Sequence, residues 1–172
     1  MKNDEKHEND NRSAAQPLFA ALAQTVAQST DEQAIWAHTQ QVANAVIGHL
    51  LFTVMRHDTS ASDVARIYSS KAAEYPPGVK KHKGPTPWGT RVLQQGQFYI
   101  GYNSADIESN FSDHAIIASM GLASILNLPI RVANTTLGTI NLLNVENYYD
   151  ESQVEAGTIL AAIVAPALMT TH

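Results

Sequence analysis

Two hydrophobic periods alternate along this chain. Leu18, Phe19, Leu22 and Val26 recur at helical spacing after Pro17 and predict a first helix. A second helix is predicted from Thr30. Thr30 and Gln33 have capping-box spacing, and Asp31 and Glu32 suit the positive end of a helix dipole. Its apolar stripe is Ile35, Val42 and Val46, interrupted by the polar Thr39. Leu50–Arg56 then reads as a strand, followed by the polar turn His57–Asp63. Val64–Ser70 alternates with period two, which places Val64, Arg66 and Tyr68 on one face and Ala65, Ile67 and Ser69 on the other. Together these segments predict a hairpin.

Lys71–Pro87 is rich in Pro, Gly and Lys and reads as a loop. Thr86-Pro87-Trp88 has the form of a helix start, with Thr86 as cap and Gly96 as the stop. Phe98–Gly101 is a short strand, and Ser104–Phe111 is a loop or a single helical turn. Ser112 caps a helix through Met120 that Gly121 closes. Leu122–Val132 and Thr136–Val145 form a second hairpin around Ala133-Asn134-Thr135. Asp150, with Gln153 three residues on, caps a final helix. Its apolar side is Val154, Ile159, Ile163 and Val164, and Pro166 bends or ends it. Hairpins separated by helices indicate an α+β fold, with helices on one or both faces of an antiparallel sheet.

A chain of 172 residues makes one domain. Residues 1–16 are polar and are expected to form a disordered tail, leaving 17–172 as the folded unit. The net charge of −5 argues against nucleic-acid binding through bulk positive charge. The chain has no cysteine, which excludes disulfides, thiolate metal sites, a thiol nucleophile and thioether attachment of a bilin. Thr158–Met169 is shorter than the ~20 residues that cross a bilayer, and the N-terminus lacks the apolar core of a signal peptide. The expectation is a cytoplasmic protein with neither membrane nor nucleic acid as partner.

Several phrases resemble a GAF domain, a sensor fold related to PAS. They are VARIYSS (Val64–Ser70), GPTPWGTRVLQQGQFYIG (Gly84–Gly101), DHAIIASMGLASILNLPI (Asp113–Ile130) and TLGTINLLNVENYYDESQVE (Thr136–Glu155). Ser124–Ile130 and Gly138–Leu142 fit the family's S-x-L-x-x-P-L and G-x-L-x-L strands. The similarity covers roughly Thr30–Leu168. It implies a sheet of about six antiparallel strands, with the N- and C-terminal helices on one face and middle helices and loops roofing a ligand pocket on the other. Family members bind cyclic nucleotides, bilins, haem, oxoacids or aromatic effectors, so the fold does not select the ligand. The N-K-F-D-E signature of the cyclic-nucleotide subgroup has no equivalent here. The cysteines of the family's methionine-sulfoxide reductases and phytochromes are missing, and no output domain fits within the chain.

Arg66 and Tyr68 are the first candidates for ligand binding. Arg66 has the chemistry to grip a carboxylate or phosphate bidentately, and Tyr68 to hydrogen-bond or stack. An arginine in a strand also commonly pairs with a surface acid. Trp88, Tyr99 and Tyr102 lie in the roofing segments, together with Phe111, and suit a flat or apolar ligand; core packing is the plainer role for Trp88 and Phe111. Asp113 and His114 adjoin at a helix start, a composition suited to acid–base work, although neighbouring helical residues point ~100° apart. Ser124 and Asn141 are polar within apolar strands, as are Ser119 and Asn127, and need partners if buried. Ser124 and Asn127 face opposite sides of a regular strand, so at most one lines a pocket. Lys71, Lys80, Lys81, His82 and Lys83 gather positive charge in one loop. Histidine spacing for a metal is absent, and no catalytic set, cofactor or metal is expected.

These features favour a sensor module for a small cytoplasmic metabolite, anionic or aromatic. It would act through homodimerisation by the terminal helices or through a separate output protein. The alternatives are a small enzyme on the same scaffold using Asp113 and His114, or a structural dimerisation module without a ligand.

Overall fold

The computed structural model describes residues 2–60, 63–82 and 86–169, with main chain alone for 2–12, 81 and 82. Helices α1 (Lys2–Gln28) and α2 (Glu32–Val46) precede strands β1 (Leu51–Asp58), β2 (Asp63–Ser69) and β3 (Lys80–His82). A π-helical turn (Gly89–Gln94), β4 (Tyr99–Gly101), α3 (Ser104–Asn110) and α4 (His114–Ser119) follow. β5 (Ser124–Val132), β6 (Thr135–Asn144) and α5 (Val154–Met169) complete the chain. The strands form one sheet in the order β3-β2-β1-β6-β5-β4, antiparallel throughout. This is the expected α+β architecture.

Both faces of the sheet are covered, which explains why β5 and β6 are buried almost along their whole length rather than at alternate positions. On one face Phe52, Val54, Leu126, Leu128 and Leu142 meet Leu22 of α1, Trp36 of α2, and Leu160 and Val164 of α5. On the other face Leu51, Ile125 and Leu143 meet Ile107 of α3 and Ile117 of α4. Trp88, Val92 and Leu93 pack there beside Val64. The polar Thr39 sits within the buried stripe of α2 because its hydroxyl donates to the Ile35 carbonyl at 2.7 Å, which satisfies it within its own helix.

Local chemistry fixes the ends of several elements. Asp150 and Gln153 form the expected capping box. The Thr86 hydroxyl accepts from the Gly89 amide at 3.0 Å, as a helix cap should. Ala133 and Asn134 both have positive φ (46° and 66°), the requirement of a two-residue hairpin turn, so β6 starts at Thr135. The second helix is capped by Asp31 instead of Thr30: the Asp31 side chain accepts from the Gln33 amide at 2.9 Å. Asp113, not Ser112, occupies the cap position of α4.

Three stretches differ from the sequence expectation. α1 begins at Lys2, so the polar segment expected as a tail is helical; the stretch before Pro17 contains helix formers and no Gly or Pro, and from Ser13 onward, where side chains are described, Leu22 is the first buried residue. The lysine-rich loop contains β3, a short lysine-bearing edge strand of the kind that discourages pairing with other chains. Helical residues run on from Glu151 to Met169, long and apolar enough in composition to cross a membrane. Here Leu160, Ala161, Val164, Ala165 and Leu168 of that stretch are buried in the core.

Candidate ligand-binding site

The register of β2 decides which side chains reach the roofed face. Val54 pairs with Tyr68 and Met55 with Arg66, so Ile67 is an extra residue, a β-bulge. The bulge breaks the period-two rule. Arg66 therefore joins Met55 on the roofed face, while Tyr68 joins Val54 on the helical face. Tyr68 stacks edge-on against Phe52 (6.0 Å between centroids) and donates to Gln40 of α2 at 2.7 Å. Arg66 and Tyr68 do not share a face, contrary to the expectation from alternation.

Arg66 is buried, with 3% of its side chain exposed. The loop over residues 70–79 is tied down onto it. The Arg66 amide donates to the Val79 carbonyl (3.1 Å), the Gly78 amide donates to the Arg66 carbonyl (2.7 Å), and Arg66 Nη1 donates to the Pro76 carbonyl (2.8 Å). The guanidinium carbon lies 3.4 Å from the centroid of the Tyr75 ring, a cation–π stack. Arg66 Nη2 stands 3.5 Å from Asp113 Oδ2, and Arg66 Nε has no hydrogen-bond partner among the described residues. The Tyr75 hydroxyl donates to the same Asp113 oxygen. Burial, reinforced by the Asp113 charge, raises the Tyr75 hydroxyl well above its usual pKa, so the phenol stays protonated as the donor.

The floor is a row of polar side chains across neighbouring strands. Trp88 Nε1 donates to Asn127 Oδ1 (3.0 Å), Asn127 Nδ2 to Asn141 Oδ1 (2.6 Å), and Asn141 Nδ2 to Thr53 Oγ1 (3.1 Å). Asn127, Asn141 and Thr53 are in register on β5, β6 and β1. Between this floor, Arg66 with Asp113 and Tyr75, and an apolar wall that includes Phe111, Ile117 and Leu143 is a cavity of about 30 Å³. That is space for on the order of one or two waters.

Of the residues singled out from the sequence, Arg66, Trp88, Phe111, Asp113, Asn127 and Asn141 line this cavity. Tyr68 and Ser124 lie on the other face. Ser124 alternates with Leu126 and Leu128 of the helical core, and its hydroxyl donates to the Val145 carbonyl at 2.6 Å. Its alternate, Asn127, is the one that lines the cavity. Tyr99 packs on Phe111 outside the lining, and Asn110 donates to its hydroxyl at 3.0 Å. Tyr102 is exposed, and His114 is half-buried and outside the lining, so Asp113 and His114 do not converge. Tyr75 and Thr53 were missed. Thr53 was legible from parity, because it alternates with Leu51 and Met55. Tyr75 lies in an irregular loop, where no periodicity assigns a direction. Among the described residues, no group of three His, Asp or Glu side chains is placed to hold a metal.

A six-stranded antiparallel sheet between terminal helices and a roofed cavity is matched by a family model, described as GAF domain, over residues 20–169. The chain belongs to the GAF domain family. It is similar in structure to the GAF domain of an Acinetobacter phosphoenolpyruvate-protein phosphotransferase. The two are 12% identical, with 89% of this chain and 91% of that one covered and a TM-score of 0.71. It is also similar to free methionine-R-sulfoxide reductase from Neisseria meningitidis in complex with its substrate (14% identity, 90% and 88% covered, TM-score 0.63). A third similar structure is a far-red absorbing dark state with bound biliverdin IXa (14% identity, 87% and 96% covered, TM-score 0.64). No curated protein matches the chain. At these identities the likenesses show the fold alone. GAF domains are mainly sensory and ligand-binding regulatory modules, and this chain shares that scaffold.

Proposed function

We propose that this protein is a sensor module that binds a small anionic metabolite at Arg66, in the cavity between the sheet and the roof. A single observation carries this: an arginine side chain only 3% exposed lines a cavity, and its Nε–H has no hydrogen-bond partner among the described residues. Burying an arginine without full partners is costly, and an anion of the right size would offset that cost. A planar carboxylate matches the guanidinium fork. The hydrogen-bonded floor of Thr53, Asn141 and Asn127 would orient its polar end, and Trp88 and Phe111 would close over its body. A sensor is favoured over an enzyme because Asp113 is directed at Arg66 and Tyr75 while His114 lies outside the cavity.

The protein would work in the cytoplasm, where such metabolites are met, and pass its signal through a second copy or a separate output protein. The exposed apolar residues Leu18 on α1 and Ile159 and Met169 on α5 support a homodimer through the terminal helices. Native mass spectrometry of protein from its own host, compared with a denatured sample, tests the ligand. A small non-covalent adduct is expected. A clean apo mass together with no thermal shift from a metabolite panel would instead favour a ligand-free dimerisation module.

A further inference from the structure

Asp113 behaves unlike three other polar residues at helix starts. Asp31, Asn103 and Asp150 each accept a main-chain amide with their side chain, as cap residues do. Asp113 occupies the cap position of α4 and makes no cap hydrogen bond. Its carboxylate turns inward to Arg66 and Tyr75 and lines the cavity. The contact with Arg66 is poor for oppositely charged groups: one nitrogen at 3.5 Å, where a charge-assisted pair closes to about 2.7–2.9 Å and an arginine fork holds both carboxylate oxygens. Arg66 Nε has no hydrogen-bond partner among the described residues. Asp113 thus occupies the anion position of Arg66 without filling it.

We infer that Asp113 is a stand-in for the ligand: a short monocarboxylate binds by exchanging with the Asp113 carboxylate on Arg66. The exchange presupposes that the Arg66 cavity is the ligand site, as proposed above. It sets the ligand class by size. With Asp113 in place the cavity is about 30 Å³, and withdrawing the Asp113 side chain frees roughly the room of one more carboxylate. The guanidinium takes the carboxylate, and Ile117, Ile125 and Leu143 face its short apolar body. Exchange also gives the site an output. Asp113 begins α4, Ile117 of α4 lines the same cavity, and Arg66 holds Pro76 of the loop over 70–79. Freeing Asp113 releases α4 from that loop, so occupancy changes how the roof is fastened.

Calorimetric titration with formate, acetate, propionate and butyrate tests the exchange on the wild type, Asp113→Ala, Asp113→Asn and the double variant Arg66→Met/Asp113→Ala. The double variant removes both buried charges together, and thermal melts establish that each variant is folded. With the internal competitor removed, Asp113→Ala should bind the best-fitting carboxylate about tenfold more tightly, the factor expected when the closed form holds about nine molecules in ten. Asp113→Asn, which keeps the shape and drops the charge, should shift in the same direction and serves if the alanine variant does not fold. The double variant should lose binding. If the wild type binds and both Asp113 variants bind equally or more weakly, exchange is wrong and the Arg66 site stands. If no folded form binds any of the four anions, the exchange of a short monocarboxylate with Asp113 is overturned, and the Arg66 site itself stands or falls by the adduct and metabolite panel above.

Discussion

The indole nitrogen of Trp88 donates to Asn127 Oδ1 at 3.0 Å, fastening the roof to the middle of the sheet. From Asn127 the chain of hydrogen bonds continues through Asn141 to the Thr53 hydroxyl, so three adjacent strands share one row of paired polar side chains. Such a row rigidifies a core when complete and destabilises it when broken. Replacing Asn127 by Ala leaves the Trp88 N–H and the Asn141 carbonyl oxygen without those partners. Each orphaned buried group costs ~1–3 kcal/mol, so Asn127→Ala should lose about 2–4 kcal/mol, read from the urea midpoint. A loss below about 1 kcal/mol would show that the row does not hold the roof.

The bulge at Ile67 separates two functions on one strand. Tyr68→Phe removes only the hydrogen bond to Gln40, so about 0.5–1.5 kcal/mol of stability should go while ligand affinity is unchanged. Arg66→Lys should do the reverse in emphasis, abolishing anion binding because an ammonium lacks the fork. Parallel melts and titrations of the two variants check this. Equal effects on affinity would mean that both residues face one pocket.

Gly138 of β6 sits close against the main chain of β1. A Cβ there would stand 2.1 Å from the Met55 carbonyl oxygen, a main-chain atom that cannot step aside. Gly138→Ala should therefore cost at or beyond the ~3 kcal/mol upper end of ordinary overpacking. A thermal melt close to wild type would show that the two strands separate more easily than their register implies.

Stability should fall on both sides of neutrality. Burial raises the hydroxyls of Tyr149 and Tyr75 above their usual values. Unfolded tyrosines lose their proton near pH ~10 while these keep theirs, so their contribution is intact below ~10 and is lost as pH climbs above it. Burial lowers the imidazole of His49, which is therefore held neutral. Its contribution is intact above about pH 6.5 and is lost as pH falls below that. Urea titrations from pH 5 to 11 measure both limbs. Tyr149→Phe should flatten the alkaline limb and His49→Gln the acid one; unchanged slopes would contradict these assignments.

Periodicity carried most of the fold because each hairpin and each helical stripe repeats over enough residues to average out exceptions. It misplaced Tyr68 because one extra residue in β2 reverses every side chain beyond it, and Ile67 resembles any other strand residue. Composition could not foretell that the Lys2–Gln16 stretch is helical, since polar helix formers and polar disorder look alike without packing. The two polar strand residues Asn127 and Asn141 were visible as oddities, but only the register that aligns them with Thr53 makes them one row. Tyr75 shows the limit most plainly: its place under Arg66 depends on three hydrogen bonds that fold an irregular loop back over β2.

The central claim is that the Arg66 cavity is where this protein binds its effector. Amide-resolved NMR during titration with the tightest-binding short carboxylate tests it most directly, run on the wild type and on Arg66→Lys. Saturable shifts should concentrate on Arg66, Tyr75, Asp113 and Asn141 and vanish in the variant. Shifts confined to α1, α2 and α5, or undiminished in Arg66→Lys, would contradict it.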